Sequence, residues 1–310
     1  MKISNQQSSY DMKTDKTLKT YFCRHSSALD IDKDTFDRLW NEDYIAIHYP
    51  WTKVNTKGAD TDTKSTTPDE YETAGKRALN VLKEIEENGG YIFADYKNQK
   101  EYKIGIIKPG TKIELIKGKW GSKDREAILK GLKFSETKTL PRYKAISLIC
   151  AQPRQGTLCR WGAVMQRVEN FHKGISKIKD VGYLPPYLQE VMCSEYLRNH
   201  SDKKLPKLIS LLTPVGRTMK DIDIAGLNED GRKIFAQVTY SNEKKVIGEK
   251  FDKLKEEGYG NHSDENILIL FCKDKTQIKD NVIIYSIEEV FSNFKESDFG
   301  KKWLESIMLK

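Results

Sequence analysis

The chain has 310 residues, of which 38% are hydrophobic and 32% charged, with a formal net charge of +8. This composition excludes a fibrous or disordered protein and suits about two domains with ordinary hydrophobic cores. No apolar run approaches the roughly 18 residues that span a bilayer, and the polar start Met1–Gln7 lacks the apolar segment of a signal peptide. We therefore expect a cytoplasmic protein without a membrane partner.

Several common chemistries lack their motifs. The five histidines show no HExxH spacing, the five cysteines form no CxxC pair, and no P-loop or GxGxxG run is present. No serine or cysteine lies in a nucleophile-elbow context. The sequence therefore argues against a zinc cluster, a disulfide framework, nucleotide hydrolysis and dinucleotide binding.

The positive charge is concentrated in residues 101–180, which carry 18 Lys and Arg against 7 Asp and Glu. Cations interleaved with aromatic residues suit a phosphate backbone and stacked bases, so we expect this stretch to bind double-stranded DNA. A solvated basic face is the alternative interpretation. The candidate contacts are Lys117, Lys119, Trp120, Lys123, Arg125, Arg142, Arg154, Arg160 and Trp161.

Residues 1–178 are expected to form a DNA-binding domain that combines helices with a small β-barrel-like sheet. The pattern predicts a helix at 32–40, a strand at 43–49, a polar loop at 52–66, and a helix from the capping box at Thr67 to Gly89. Short strands separated by turns follow. They are predicted at 91–94, 102–107, 112–116, 145–150 and 157–164.

Two side chains at the end of the first strand are candidate base readers, His48 and Trp51. Together with Trp120 and Trp161, Trp51 would form an aromatic cage for an extruded or modified base. Buried aromatic residues of a barrel core explain the tryptophans equally well.

Residues 179–310 show an αβββαβ alternation typical of a mixed central sheet. The run Ile267–Cys272 is apolar throughout, as a central strand should be, while Ile247, Phe251 and Leu254 recur at helical spacing. The helices are predicted at 185–199, 242–257 and towards 309, and the strands at 208–213, 221–226, 233–240, 266–272 and 281–285.

Polar side chains fall on two neighbouring strands of this region. Asp223 begins an apolar strand, residues 228–231 form a turn, and Gln237 lies in the returning strand. Asp221 shares the face of Asp223 at a spacing of two. Carboxylate and amide oxygens are ligands that suit Mg²⁺. The alternative interpretation is an exposed hairpin with ordinary polar faces, which would give the same sequence pattern.

In these motifs, residues ~183–290 resemble the PD-(D/E)xK nuclease superfamily. The resemblance is closest to the Mrr-type branch, in which Gln replaces the acidic residue of the third motif. The resemblance rests on the element order and on three short motifs. It implies a restriction-endonuclease-like αβββαβ domain that binds one or two Mg²⁺ ions. The N-terminal residues lie outside the resemblance.

The resemblance also implies the roles of individual residues. Asp223 and Gln237 would bind the metal, with the main-chain carbonyl of Val238 as a further ligand. The family's helix glutamate would be Glu190, with Glu195 as the alternative. These two lie about 140° apart around a helix, so both cannot face the same ion.

The family's catalytic lysine is missing from its usual position. Thr239 stands two residues after Gln237, and a hydroxyl cannot supply the positive charge that the reaction needs. Members of the superfamily sometimes take the lysine from the next helix. Lys245 is the first candidate, followed by Lys244 and Lys250, with Lys220 as a fourth.

The resemblance and the basic stretch together predict a magnesium-dependent endodeoxyribonuclease of the type II or type IV restriction or phage-defence kind. Its N-terminal domain would read a DNA sequence or a modified base. A homodimer is expected if both strands are cut. The alternatives are a non-catalytic DNA-binding protein with a degenerate nuclease fold, and a defence nuclease activated by a ligand or partner that the N-terminal domain senses.

Overall fold

A computed structural model gives the fold of most of the chain. The described residues contain fourteen strands and eight α-helices. They comprise residues 18–58, 60–175, 178–200, 202–212, 222–256, 259–260 and 264–309. No helix among them combines the length and the apolar character needed to cross a membrane.

Strands and helices are interspersed along the described residues. The strands are β1 Thr20–His25, β2 Tyr44–Ile47, β3 Gly90–Tyr96, β4 Glu101–Ile107, β5 Glu114–Lys119, β6 Glu126–Lys133, β7 Glu136–Pro141, β8 Leu158–Arg160, β9 Leu208–Leu211, β10 Ile224–Asn228, β11 Lys233–Val238, β12 Asn266–Cys272, β13 Gln277–Lys279 and β14 Val282–Ser286. The helices are α1 Lys33–Asn41, α2 Thr73–Asn88, α3 Ile146–Ile149, α4 Arg167–His172, α5 Pro186–Asn199, α6 Lys244–Glu256, α7 Ile287–Glu296 and α8 Asp298–Ile307.

The chain divides into two compact units that are discontinuous in sequence. The first contains the residues up to Thr139 and Pro153–Gly162, and the second contains Leu140–Gln152 and the residues from Ala163 onward. The boundary at 178/179 that the sequence suggests stays a prediction. Within the second unit, the guanidinium of Arg167 donates hydrogen bonds to Ser147 Oγ and to the main-chain oxygen of Ile307.

The first unit contains two sheets. One has the strand order β7-β4-β3-β1-β8, with β1 parallel to β3, and the other has the order β2-β6-β5 and is antiparallel. Side chains of both sheets share one core with α1 and α2. Residues 127–132 of β6 are buried consecutively, which shows that this strand is covered on both faces. The described strands therefore form two layered open sheets, and the barrel-like expectation is not confirmed.

Several predicted elements of the first 178 residues differ from the structure. Residues 145–150, predicted as a strand, lie at the end of a 3₁₀ turn, in α3 and in the turn that follows it. A short apolar run does not distinguish a helix from a strand by its period. The capping-box segment at 68–70 forms a separate 3₁₀ turn before α2. The structure also adds β1, β6 and β7 to the predicted strands.

The second unit is built around a six-stranded mixed sheet of order β13-β14-β12-β11-β10-β9. Strands β11, β12 and β14 are parallel, while β9, β10 and β11 form an antiparallel meander. Alternate residues of β12 pack on opposite faces, Ile269 in the core shared with α5 and α7, and Leu270 in the core shared with α6. The element order from α5 to β12 is the predicted αβββαβ order.

Candidate active site

Three polar side chains of the second unit meet beside the ends of β10 and β11. The ammonium of Lys250 donates hydrogen bonds to Asp223 Oδ2 at 2.8 Å and to Gln237 Oε1 at 2.6 Å. Asp223 Oδ2 also accepts the N–H of Val238 at 2.7 Å. The cluster therefore joins one carboxylate, one amide and one ammonium group within hydrogen-bond distance.

The hairpin of β10 and β11 fixes the backbone of this cluster. Ile224 is paired with Ala236, and the N–H of Asp223 donates to the carbonyl of Ala236 at 2.9 Å. This hydrogen bond keeps Asp223 against the end of β11, where Gln237 follows Ala236. Gln237 is only 2% exposed, so its side-chain amide lies inside the protein.

The helix phase of α6 brings Lys250 to the cluster. Ile247, Phe251 and Leu254 pack against the sheet, and Lys250 lies beside this apolar stripe with 26% of its side chain exposed. Lys245 is five positions earlier, about 140° around the helix. Its side chain is 84% exposed and pairs with Glu249 at 3.9 Å.

The lysine ranked first from the sequence is therefore not the one that contacts Asp223 and Gln237. Lys245 and Lys244 are exposed on α6, and Lys250, which had the lower rank, makes the contacts with the cluster. The spacing of the apolar residues on α6 could have indicated Lys250, because a lysine that flanks this apolar stripe is directed towards the sheet. Lys220 and Asp221 lie outside the described residues.

Glu190 on α5 is the second acid of the site. Burial and the negative charge of Asp223 raise the pKa of Glu190 to about 7, while the ammonium of Lys250 acts in the opposite direction. Glu190 Oε2 is buried and has no hydrogen-bond partner among the described residues. A buried, unpartnered carboxylate oxygen beside a second carboxylate is costly unless a proton or a cation reaches it.

Glu195, the alternative helix acid, makes its contacts along its own helix. Its carboxylate lies 3.8 Å from Arg198 and 3.4 Å from the side-chain amide of Asn199. Cys193, one turn after Glu190, is a neighbour that none of the sequence motifs indicates. Burial together with Glu190 and Asp223 raises the pKa of its thiol well above the usual range.

Thr239, at the position where the resemblance predicts a lysine, closes the end of β11. Its hydroxyl accepts the N–H of Ser241 at 3.2 Å, and its own N–H donates to the carbonyl of Phe271 at 2.8 Å. This threonine therefore stabilises a local turn. The positive charge beside Asp223 comes from Lys250 instead.

The donor set of the site suits a hard divalent cation. Glu190, Asp223 and Gln237 offer two carboxylates and an amide oxygen, and the unpartnered oxygen of Glu190 is available to a metal. Mg²⁺ commonly uses one or two protein carboxylates and completes its octahedron with water and substrate phosphate. Among the described residues, no group of three or more His, Cys, Asp or Glu side chains is arranged for a metal. The residues thus fit Mg²⁺ held partly by water rather than a closed protein cage.

Some of the residues predicted to contact DNA are exposed, and others are partly or fully buried. Lys117 pairs with Glu126 at 3.4 Å, and Arg160 pairs with Glu84 at 2.6 Å. The guanidinium of Arg125 lies 4.1 Å from the ring centre of Trp120. The exposed cations are Lys117, Lys119, Lys123, Arg154 and Arg160, whereas Arg125 and Arg142 are partly buried.

Trp161 does not belong to an aromatic cage. Its side chain is 2% exposed and packs edge-on against Phe22 and Phe93, with ring centres 5.1 and 5.3 Å away. The structure therefore corrects the expectation that Trp161 stacks on a base. It directly follows β8, the edge strand of the five-stranded sheet, and is a core residue.

His48 is also held within the protein. It is 7% exposed, and its ring nitrogens lie 2.5 Å from the carbonyl of Leu29 and 2.5 Å from Asp62 Oδ2. These contacts occupy both nitrogens, which makes His48 a poor direct reader of base edges. Trp51 and Trp120 remain together, with ring centres 5.7 Å apart, at a cavity of about 620 Å³ in the first unit.

Comparisons with known proteins give little guidance. No family model matches the chain, and the comparison with curated proteins found no match. A repair endonuclease from Pyrococcus abyssi matches 66% of this chain and 69% of its own at 12% identity, with a TM-score of 0.17. An EndoMS–dsDNA2 complex matches 62% of this chain and 69% of its own at 9% identity, with a TM-score of 0.20. Likeness at this level carries no argument about function, which therefore depends on the site itself.

Proposed function

We propose that this chain is a metal-dependent endodeoxyribonuclease whose centre consists of Glu190, Asp223, Gln237 and Lys250. The observation that carries the proposal is the double hydrogen bond from Lys250 to Asp223 and Gln237 beside the buried, unpartnered carboxylate oxygen of Glu190. Two acids, an amide and a lysine make up the set that the PD-(D/E)xK resemblance implies. Here the lysine comes from α6.

Mg²⁺ would be held by Glu190, Asp223 and the side-chain oxygen of Gln237, with the carbonyl of Val238 as a further ligand. When bound, one or two such ions polarise a phosphoryl oxygen and lower the pKa of a coordinated water. Ionised Glu190 suits this role, and the neighbouring positive charge of a metal would favour its ionised form.

Lys250 supplies the charge that Thr239 cannot. Its ammonium is held by two hydrogen bonds at 2.8 and 2.6 Å, so its position is fixed before substrate binds. A fixed ammonium near the reacting phosphate stabilises the negative charge that develops as water attacks, and it helps to orient that water.

The substrate class follows from the basic stretch of the chain. Exposed Lys117, Lys119, Lys123, Arg154 and Arg160 provide cations for a DNA backbone. We propose a restriction or phage-defence role in the cytoplasm, with base or sequence reading by the first unit. One such centre addresses one strand, so cleavage of both strands calls for a homodimer.

Two alternatives each have an observation in their favour. Thr239 at the lysine position favours a DNA-binding protein that has lost catalysis. This alternative requires salt-sensitive DNA binding without cleavage. The 620 Å³ cavity favours a nuclease that a small ligand activates. In that case cleavage would appear only after addition of the ligand.

The proposal is tested by incubating the full chain with methylated and unmethylated plasmid DNA, in Mg²⁺ and in EDTA. Cleavage is expected in Mg²⁺ alone. Asp223→Ala should reduce it by about 100-fold or more, because the variant removes a ligand of the metal. Asp230→Ala, at an exposed turn carboxylate, is the matched control and should cleave normally. Cleavage that survives Asp223→Ala would remove this centre from the mechanism.

A further inference from the structure

The first unit contains a cavity of about 620 Å³ that the proposed nuclease centre does not use. Four aromatic side chains contribute to its lining, those of Tyr49, Trp51, Tyr71 and Trp120. Pockets for small organic ligands typically measure about 300–1,000 Å³ and are lined by apolar and aromatic side chains. The cavity is thus large enough for a planar heterocyclic ring and its attached sugar.

The inner wall of the cavity is held by internal hydrogen bonds. The indole N–H of Trp120 donates to Asp62 Oδ1 at 3.0 Å, and the hydroxyl of Tyr71 donates to the carbonyl of Ser65 at 2.5 Å. Asp62 also accepts the N–H of Ile128 at 3.0 Å. Because these polar atoms are already paired, the wall presents fixed aromatic surfaces to a ligand.

Trp51 differs from these residues. Its indole lies at 48° to that of Trp120, and its side chain is only partly buried. The N–H of Trp51 is buried and has no hydrogen-bond partner among the described residues. A buried N–H without an acceptor is costly. A nucleotide offers a flat base that can stack on the face of the indole, and its sugar and phosphate oxygens can accept an N–H in the plane of the ring.

The charges around the cavity distinguish between ligand classes. The ammonium of Lys123 lies 5.0 Å from the ring centre of Trp120 and 5.7 Å from that of Trp51. Exposed Lys53 and Lys57 line the cavity, as do the carboxylates of Asp30 and Glu72. At the two tryptophan rings the nearby charge is that of Lys123, so a methylated ammonium ligand would meet like charge there, whereas the phosphate of a stacked base would find a counter-ion.

We propose that this cavity binds a single unstacked nucleobase, with Trp51 as its stacking residue and Lys123 near the adjoining phosphate. The proposal rests on the proposed function for its choice of DNA as the partner, but it does not require cleavage. Stacking of one base on an aromatic side chain corresponds to about a 5- to 150-fold change in affinity.

The test measures binding of the full chain in EDTA by fluorescence anisotropy. The probes are a fully paired duplex and the same duplex with one unpaired base. The wild-type protein should prefer the second probe. Trp51→Ala should weaken its binding by about 5- to 150-fold, and Trp51→Phe, which keeps the stacking ring, by less. Tyr143→Ala removes an aromatic side chain that is 71% exposed in the second unit, and it should bind like the wild type.

The salt dependence separates stacking from charge. Trp51→Ala should leave the slope of log affinity against log salt unchanged, while Lys123→Met should reduce it by about 0.7 to 0.9 if the ammonium meets one phosphate. Circular dichroism and melting curves establish that each variant is folded.

Equal binding of both probes, or full affinity of folded Trp51→Ala, would overturn the base pocket even if the protein cleaves DNA. Trp51-dependent binding of a trimethyllysine peptide without a preference for the unpaired base would overturn it as well. The expected binding pattern in a protein that never cleaves would instead contradict the proposed nuclease and support the pocket.

Discussion

Lys250 on α6 donates a 2.6 Å hydrogen bond to the side-chain oxygen of Gln237 on β11, thirteen residues earlier in the chain. The same ammonium contacts Asp223 at 2.8 Å. A lysine two residues after Gln237 would reach this place along the strand, whereas in this chain the following helix supplies it. The centre thus keeps its positive charge although Thr239 occupies the usual position.

Lys250→Met tests this replacement directly. The variant keeps most of the side-chain volume and removes the charge, so DNA cleavage in Mg²⁺ should fall by about 100-fold or more, as when one charge-stabilising group of a catalytic site is removed. Lys245→Met is the matched control, because Lys245 lies on the same helix with 84% of its side chain exposed. It should retain cleavage. Equal loss in both variants, or in neither, would contradict the role of Lys250.

The sequence predicted the second unit better than the first. The apolar run of β12 and the apolar stripe of α6 have clear periods, because each packs one or two faces into a core. In the first unit, Lys130 interrupts the apolar pattern of β6 although it is fully buried. Its ammonium reaches the carbonyls of Tyr49 and Thr63, contacts that come from residues distant in sequence. No local pattern could indicate them.

The sequence predicts those residues of the site whose positions depend on local structure. Asp223 and Gln237 follow from the pairing of a hairpin, which the turn at 228–231 already indicates. The choice between Glu190 and Glu195 depends on how α5 packs on the sheet, and the choice of Lys250 depends on the phase of α6. Both are tertiary properties, so a ranking of the candidates from sequence alone has no physical basis.

Lys130 gives the stability of the protein a defined pH dependence. Burial lowers the pKa of this lysine to about 8 from its usual 10.5, so its charged form is disfavoured in the folded state. Between pH 8 and 10.5 the unfolded chain binds more protons at this position, and the contribution of Lys130 to stability therefore rises with pH. The expected gain is about 1–3 kcal/mol.

The measurement is urea denaturation of the wild type and Lys130→Met at several pH values from 7 to 10.5. Tyrosines and cysteines titrate in the same range in both proteins, so the difference between them isolates Lys130. The stability of the wild type relative to Lys130→Met should increase from pH 8 to pH 10.5. A difference that stays constant over this range would contradict the lowered pKa.

Glu190 should destabilise the metal-free protein. Its pKa is raised from 4.5 to about 7 by burial and by Asp223, so ionisation of the folded protein above pH 7 is costly. The contribution of Glu190 to stability is thus lost as pH rises from about 4.5 to 7. In EDTA at pH 8, Glu190→Gln should be more stable than the wild type by about 1–2 kcal/mol, allowing for partial solvent screening.

The advantage of Glu190→Gln should shrink at pH 5, where the wild-type carboxyl is protonated in the fold. Chemical denaturation at pH 5 and pH 8 measures both values. Glu195→Gln is the matched control, because that carboxylate is held near Arg198 on the surface of the same helix. An equal effect of the two substitutions would show that the buried position of Glu190 is not its cause.

Binding of Mg²⁺ should offset the destabilisation of the folded protein by ionised Glu190. A cation that binds the folded state alone stabilises it by mass action, and it neutralises two carboxylates that otherwise repel each other. We expect 10 mM Mg²⁺ to raise the Tm of the wild type by a few degrees at pH 8, and this shift to vanish in Glu190→Gln and Asp223→Ala. Asp230→Ala should keep the shift, since its carboxylate is an exposed turn residue. Because melting in the absence of DNA is the readout, an unchanged Tm in Mg²⁺ would contradict the metal site whether or not DNA is cleaved.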